Sequence, residues 1–328
     1  MKTMRRILQI SFLLVLAFLV LAGTAWAAVA FSFHLVGAAF WLACAVVGVA
    51  AVAALAVGGR SWVASWIIFL LAGAAVGGWY QTITPRQDRD WAVDVSRGVT
   101  ARIAGDQVTL GNIRDFRWKN EKDAEAVWIN RTYDLSKLSS VDVITSVWDS
   151  PDIAHLLVSF GFEDGEPIVF SVEIRREADE AFNEIGGFFR QFELVLVGAT
   201  ETDIVKLRTN YRKENVSLYP VELSAEDRRS MFMSFVELAQ ILEEKPLFYN
   251  TLTANCTTVV FRLARTLQPD LAIDWRVVMS GHLPSYLNDL GVLGGEGGLQ
   301  AREISAKISE RAQVIPEGAN FSQWIRQR

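Results

Sequence analysis

Apolar residues are concentrated in the first quarter of the chain. Residues 7–28, 32–57 and 61–79 are three almost uninterrupted apolar runs. Each is close to or above the length of about 20 residues that a helix needs to cross the bilayer core. The pattern therefore predicts three transmembrane helices. The first run could instead be a signal peptide that is cleaved after Ala27, but its apolar part is long for that role, and a retained helix is favoured.

The charges around these runs predict the orientation. The first 80 residues contain no acidic residue and only four basic ones, namely Lys2, Arg5, Arg6 and Arg60. Basic residues next to transmembrane helices remain on the cytoplasmic side, and three crossings from there leave the chain after residue 80 outside. Cleavage of the first run gives the same answer. We therefore expect a bacterial inner-membrane protein whose soluble domain lies in the periplasm.

The remainder of the chain has short alternating segments first and helical spacing later. A helix is predicted at 224–244, where Ser224 is the N-cap, and another begins at residue 256. Residues 175–190 have a helical composition, broken by glycines. Strands are predicted at 99–103, 108–110, 116–118, 126–133, 141–148, 154–162, 167–174, 192–197 and 204–208. A mainly antiparallel sheet followed by helices is an α+β pattern.

Composition divides the chain in the same way. We expect a membrane region at 1–80, a linker at 81–94, a thiol-enzyme domain at 95–316 and a loosely packed tail at 317–328. The residues after position 80 carry 28 basic and 37 acidic side chains, a net charge of −9. Nucleic-acid binding requires a basic face, so a nucleic-acid partner is not expected.

The part of the chain after residue 80 contains one cysteine, Cys256, because Cys44 lies in the second apolar run. Asn255 stands where a helix N-cap belongs, and the apolar residues that follow have helical spacing. A thiol at the first position of a helix is close to the positive end of the helix dipole, which favours the thiolate. We therefore interpret Cys256 as a nucleophile, although an isolated cysteine in such a position is also commonly structural.

A thiolate nucleophile needs a base, and the base needs a partner that orients it. The candidates are His155, at the start of a predicted strand, and His282, in a loop. A strand holds a base more rigidly, so His155 is favoured. On the next strand Ser171 and Glu173 share one face. Glu173 is the expected orienting group, and Ser171 is the alternative.

Each of these residues also has an ordinary structural interpretation. His155 could be a packing residue, and Glu173 could pair with Arg175 or Arg208 on an exposed strand. A cysteine at a helix start after a hairpin that carries His and Glu is more specific than any one of them. The sequence has no metal-ligand spacing, phosphate-binding loop or GxSxG motif, so no metal and no other cofactor is expected.

Four blocks of sequence, in order, are similar to the periplasmic domain of the Lnb family, whose type members are lipoprotein N-acyltransferases. The blocks are residues 153–162, 170–175, 189–194 and 248–257. That family resembles papain-like thiol enzymes in which His precedes Cys, as in circularly permuted cell-wall peptidases and lecithin-retinol acyltransferases. For the domain that follows the three predicted transmembrane helices, the resemblance implies a permuted papain-like, NlpC/P60-related α+β fold with an antiparallel sheet and a helix that bears the cysteine.

The resemblance also implies a reaction. Cys256 would attack an acyl ester of a membrane phospholipid, with His155 as base, and the thioester would pass to the N-terminal amine of a lipoprotein. The backbone N–H of Cys256 and the side chain of Asn255 or Asn250 would stabilise the oxyanion, with Tyr249 in support. Two other functions stay open on the sequence. One is a thiol hydrolase of the same fold, either a cell-wall peptidase or amidase or a lipase, and the other is a non-catalytic envelope protein.

Overall fold

The computed structural model describes residues 2–327, and for Lys2, Thr3 and residues 5–8 it describes the backbone alone. The side chains of Lys2, Arg5 and Arg6, which contribute to the predicted orientation, lie outside the described residues, as do Met1 and Arg328. The predictions that involve these residues therefore remain predictions.

Three long apolar helices begin the chain: α1 (Lys2–His34), α2 (Gly37–Gly58) and α3 (Trp62–Gln81). By length and composition, each is able to cross a membrane. Ser65 of α3 is fully buried, and its hydroxyl donates a hydrogen bond of 2.5 Å to the carbonyl oxygen of Ala54 on α2. This bond satisfies the only strongly polar side-chain atom of Ser65 inside an apolar interface. The three apolar helices give the chain the character of an integral membrane protein.

The chain folds into two compact units. The first consists of the chain up to Pro85 together with the separate segment Asn183–Gln191, and the second consists of Arg86–Phe182 and the chain from Phe192 onwards. A short stretch from the middle of the sequence is therefore part of the membrane unit.

The second unit is built on an eight-stranded mixed sheet. The strands are β1 (Thr100–Ala104), β2 (Gln107–Arg114), β3 (Arg117–Trp118), β4 (Ala124–Glu125), β5 (Trp128–Asp134), β6 (Leu138–Val147), β7 (His155–Phe162), β8 (Ile168–Arg175), β9 (Glu193–Ala199) and β10 (Asn215–Val221). The strand order is β1-β2-β9-β8-β7-β6-β10, with β5 paired to β2 outside this path. All pairs are antiparallel except β2 and β9, which are parallel. β3 and β4 form a separate two-stranded sheet.

Both faces of the sheet are covered, so its central strands are buried on two sides. Side chains alternate between the faces along a strand. Phe160 of β7 packs with Phe232 of α5 in one core, whereas Leu157 of β7 packs with Ile204 of α4 in the other. The helices of this unit are α4 (Glu201–Lys206), α5 (Ala225–Glu244), α6 (Cys256–Leu267), α7 (Leu283–Asp289), α8 (Leu299–Ala306), α9 (Ser309–Gln313) and α10 (Phe321–Trp324).

Residues 204–208, predicted as a strand, are helical instead. They span the end of α4 and the start of a π-helix at Leu207–Tyr211. The hydroxyl of Thr200 caps α4 by accepting from the N–H of Asp203, and the Asp203 carboxylate is fully buried 2.8 Å from Arg114. A short β-branched run fits a buried helix as well as a strand, and here the cap and the buried ion pair select the helix.

Two further segments also differ from the sequence prediction. In the segment 175–190, Arg175 ends β8, and residues 176–190 form a loop with a single 3₁₀ turn at Gly186–Phe188, because the adjacent glycines disfavour a longer helix. The tail after residue 316 is well packed, since Phe321 and Ile325 are buried in the core that contains α4. The guanidinium of Arg326 binds Asp142 and Glu201 at 2.7 Å each, which fastens the tail to the sheet.

Candidate active site

Cys256 is the first residue of α6, and a local network fixes the start of that helix. The side-chain oxygen of Asn255 accepts from the N–H groups of Thr257 and Thr258, at 3.0 and 2.8 Å. In return, the hydroxyl of Thr258 accepts from the Asn255 N–H at 3.0 Å, which completes a capping box. This cap uses the second and third N–H groups of the helix. The N–H of Cys256 is not part of this capping box.

His155 and Glu173 come from neighbouring strands. In the β7–β8 hairpin Leu157 is paired with Ser171, and the same register continued by two residues puts Glu173 opposite His155. The Nε2 atom of His155 lies 2.7 Å from the hydroxyl of Ser171 and 3.0 Å from Oε1 of Glu173. The Ser171 hydroxyl donates to the same carboxylate oxygen at 2.6 Å. Ser171 and Glu173 therefore both orient the imidazole, whereas the sequence suggested them as alternatives.

The strand pair brings His155 to the cysteine. His155 and Cys256 lie near enough for the imidazolium and the thiolate to shift each other's pKa. Because Nε2 faces Ser171 and Glu173, Nδ1 is the ring nitrogen that remains for the sulfur. The thiolate is also favoured by the backbone N–H of Leu156 and by the hydroxyl of Thr257, whose Oγ1 lies 3.8 Å from Sγ.

The charges in this cluster shift the pKa values in the direction of an ion pair. Burial lowers the pKa of His155, but the Glu173 carboxylate, with a further contribution from Cys256, raises it to about 9. Burial raises the pKa of Cys256, yet the positive charge of the His155 imidazolium lowers it below the ordinary value. Burial likewise opposes ionisation of Glu173, while His155 and then Arg208 hold its pKa well below the usual range. The favoured state is a thiolate beside an imidazolium, with an ionised carboxylate behind it.

A buried ionic network that we did not predict lies behind Glu173. Arg208, on the π-helix, has one guanidinium nitrogen 3.5 Å from Glu173 and another 3.1 Å from Glu214. Glu214 also accepts a hydrogen bond from the hydroxyl of Ser146. Arg208 is buried and its charge lowers the pKa of His155, so it limits how strongly Glu173 stabilises the imidazolium. The sequence suggests Arg208 only as a possible partner of Glu173, because the burial of Arg208 depends on the π-helix.

The three predicted supporting residues have different surroundings. The amide nitrogen of Asn255 donates to the carbonyl of Thr251 at 2.6 Å, so both ends of this side chain are used in the loop and the cap. The side-chain oxygen of Asn250 accepts from the N–H groups of Leu252 and Thr253, which shapes the same loop. In this structure both asparagines hold the loop that leads into the helix.

Tyr249 is near enough to Cys256 and Glu173 for their charges to affect its phenol. It packs against the core beside α6. Burial is the main cause that raises the pKa of its phenol, followed by the negative charges of Cys256 and Glu173. The phenol therefore keeps its proton and is able to donate a hydrogen bond near the thiol.

His282 is not part of this cluster. Its Nε2 atom lies 2.7 Å from Asp152, and its ring packs beside Trp275. Its side chain is 41% exposed, in contrast to the buried His155. Among residues 2–327, no group of three or more His, Cys, Asp or Glu side chains is arranged to hold a metal ion.

A search against family models gives one match that covers these residues. Residues 124–281 match the Lnb N-terminal periplasmic domain. Over this stretch the chain is similar to that domain. The Lnb match includes His155, Glu173 and Cys256, and it confirms the resemblance found in the sequence. No curated protein and no solved structure matches the chain. With the three apolar helices, the Lnb match describes a membrane-anchored protein with a periplasmic domain.

Proposed function

We propose that this protein is a membrane-anchored thiol acyltransferase with a papain-like arrangement of Cys256, His155 and Glu173, acting on the periplasmic side of a bacterial inner membrane. The observation that carries the proposal is that Cys256, at the capped start of α6, interacts with the buried His155, whose imidazole in turn contacts Glu173. The charges of this cluster favour the thiolate, which is the nucleophilic form of cysteine.

In the first step the Cys256 thiolate attacks the carbonyl carbon of an acyl ester. A bond forms between Sγ and that carbon, and the bond from the carbon to the ester oxygen breaks. The imidazolium of His155 gives its proton to the departing alcohol. The products are an acyl thioester on Cys256 and a deacylated alcohol, while His155 is left neutral.

The tetrahedral intermediate of this step carries a negative oxygen. The N–H of Cys256 lies at the start of α6, where the helix dipole favours negative charge, and Asn255 caps the two N–H groups that follow it. The protonated phenol of Tyr249 is the candidate second donor. Two properties of this phenol support the proposal: it is partly buried close to the thiol, and its raised pKa keeps it protonated at physiological pH.

In the second step an amine attacks the thioester. Neutral His155 takes a proton from the attacking nitrogen, an amide bond forms, and the thiolate leaves as the carbon–sulfur bond breaks. The site then returns to the thiolate and imidazolium pair. Glu173 and Ser171 keep the ring in one orientation during both proton transfers.

The proposed acyl donor is a membrane phospholipid, and the proposed acceptor is the N-terminal amine of a lipoprotein. Support for a lipid donor comes from the three apolar helices, which hold the chain in the membrane where acyl esters are abundant. Support for the amine acceptor comes from the Lnb family match alone.

Intact-protein mass spectrometry tests the first step. The full-length protein is incubated in phospholipid vesicles, and a mass increase of one acyl chain is expected. Cys44 supplies a matched control, because Cys44→Ala should keep the adduct and Cys256→Ala should lose it. An adduct that persists in Cys256→Ala, or no adduct in any variant, contradicts the proposal.

The second step is tested by the acceptor. A synthetic diacylated lipopeptide with a free N-terminal amine should discharge the adduct faster than its N-acetylated form. Equal rates for both peptides mean that water is the acceptor, and the protein is then a hydrolase.

A further inference from the structure

The loop between β8 and β9 contains a segment that belongs to the membrane unit. Asn183–Gln191 is grouped with the three apolar helices, although it is about a hundred residues later in the chain. Two successive residues, Phe189 and Arg190, attach it to different helices.

Phe189 attaches the segment to α1. Its side chain is buried, with its ring centroid 5.6 Å from that of Trp26 and 5.8 Å from that of Phe33. Its carbonyl oxygen lies 2.6 Å from Nε2 of His34, the last residue of α1. The ring of Phe189 therefore lies between the level of Trp26 and the end of the helix.

Arg190 attaches the segment to the end of α3. Its guanidinium donates to the carbonyl oxygens of Tyr80 and Ile83, at 2.9 and 3.2 Å, and lies 4.5 Å from the centroid of the Tyr80 ring. The carbonyl groups at the C-terminal end of a helix lack intrahelical donors, so a cation here satisfies them and complements the helix dipole.

Aromatic residues mark this end of the helices as a membrane interface. Trp26 is 5.0 Å from Tyr80, and Phe31 is 4.8 Å from Trp79, measured between ring centroids. Such belts lie at the level of the lipid headgroups. This end is also opposite to the turn that contains Arg60, between α2 and α3, which basic charge assigns to the cytoplasm. Phe189 packs into the belt on the outer side.

Two apolar residues of the same segment are left uncovered beside this belt. Ile185 is 58% exposed and Phe188 is 43% exposed. The segment has a defined shape, because the Asn183 amide accepts from the N–H of Gly186 at 2.5 Å and donates to the side-chain oxygen of Gln191 at 2.9 Å. A Cβ at residue 186 would lie 1.9 Å from the side-chain oxygen of Gln191, so a larger residue there would displace that side chain.

We infer that Asn183–Gln191 is a membrane-inserting loop, and that Ile185 and Phe188 lie among the lipids of the outer leaflet. The occupant is lipid because the exposed side chains continue an apolar surface that already faces the bilayer, at interfacial depth. The loop gives the periplasmic domain a second attachment to the membrane besides the linker that follows α3. This inference does not depend on the proposed catalysis.

Fluorescence quenching by brominated lipid tests the inference. The full chain, with Cys44→Ala and Cys256→Ala, carries a single added cysteine labelled with an environment-sensitive dye, either Ile185→Cys or Phe188→Cys. It is reconstituted in vesicles of phosphatidylcholine and phosphatidylglycerol whose acyl chains bear bromine near the headgroup. Leu21→Cys, on the exposed surface of α1, is the lipid-facing reference, and Asp164→Cys, in a polar turn, is the aqueous reference.

We expect the dye at 185 and 188 to lose fluorescence in brominated lipid as it does at 21, and to emit at shorter wavelength than at 164. Quenching at both loop positions no greater than at 164 overturns the inference, because the two side chains would then face water or be covered by a second copy or another protein. Because both loop positions are exposed, the label does not disturb the core. The absence of Cys256 separates this result from the acyltransfer test.

Discussion

Removal of the Glu173 charge is the perturbation that tests the electrostatics of the site most sharply. Glu173→Gln keeps the size of the side chain and one oxygen that can accept from His155 and Ser171. His155 is only 9% exposed, and its pKa is raised from the ordinary 6.5 to about 9 although burial acts in the opposite direction. That difference corresponds to roughly 3 kcal/mol in favour of the imidazolium. Glu173 is the largest cause of the rise, so most of this stabilisation should be lost in the variant.

The sign of the pH effect follows from the two partners. The thiolate and imidazolium pair exists above the lowered pKa of Cys256 and below the raised pKa of His155, about 9. Loss of the carboxylate lowers the pKa of His155, and a weaker imidazolium then lets the pKa of Cys256 rise. The pH window of the ion pair narrows from both ends. If half of the effect is lost, the equilibrium between the ion pair and the neutral thiol and imidazole shifts roughly tenfold toward the neutral pair.

The assay is the rate at which iodoacetamide alkylates Cys256, followed by intact mass across the acidic to alkaline range. A Cys44→Ala background leaves one thiol. Glu163→Gln, in an exposed turn, removes an equal charge far from the cluster and serves as the matched control. Superimposable pH profiles for Glu173→Gln and Glu163→Gln would refute the reasoning, because the carboxylate would then have no influence on the thiol.

Two other substitutions test the choice of base and the cap of α6. His282→Ala should leave the alkylation profile of Cys256 unchanged, because His282 pairs with Asp152 outside the cluster; a loss comparable to that of His155→Ala would reassign the base. Asn255→Ala should lower the free energy of unfolding by about 1 kcal/mol, since it removes the cap of α6, and thermal unfolding in detergent measures this. An unchanged midpoint would contradict the capping role.

Local chemistry explains why much of the site could be predicted from the sequence. The start of α6 depends on Asn255 and on the helical spacing after it, both of which are adjacent in the chain. The β7–β8 hairpin depends on the turn between two strands, and its register is enough to bring Glu173 opposite His155. The three apolar helices depend on composition alone.

The features that the sequence did not predict depend on contacts between residues that are far apart in the chain. Residues 204–208 are helical because a buried ion pair between Asp203 and Arg114 holds them. The docking of Phe189 beside Trp26 brings together residues that are far apart in the chain and lie in segments of different character.

The central claim is that Cys256 passes an acyl chain from phospholipid to an amine. The direct measurement is transfer of a labelled acyl chain from vesicle phospholipid to a diacylated lipopeptide by the full-length protein. Labelled amide should appear with the unsubstituted chain and with Cys44→Ala, and should be absent with Cys256→Ala and strongly reduced with His155→Ala. Labelled amide at an undiminished rate with Cys256→Ala would contradict the account, and so would labelled free fatty acid in place of the amide.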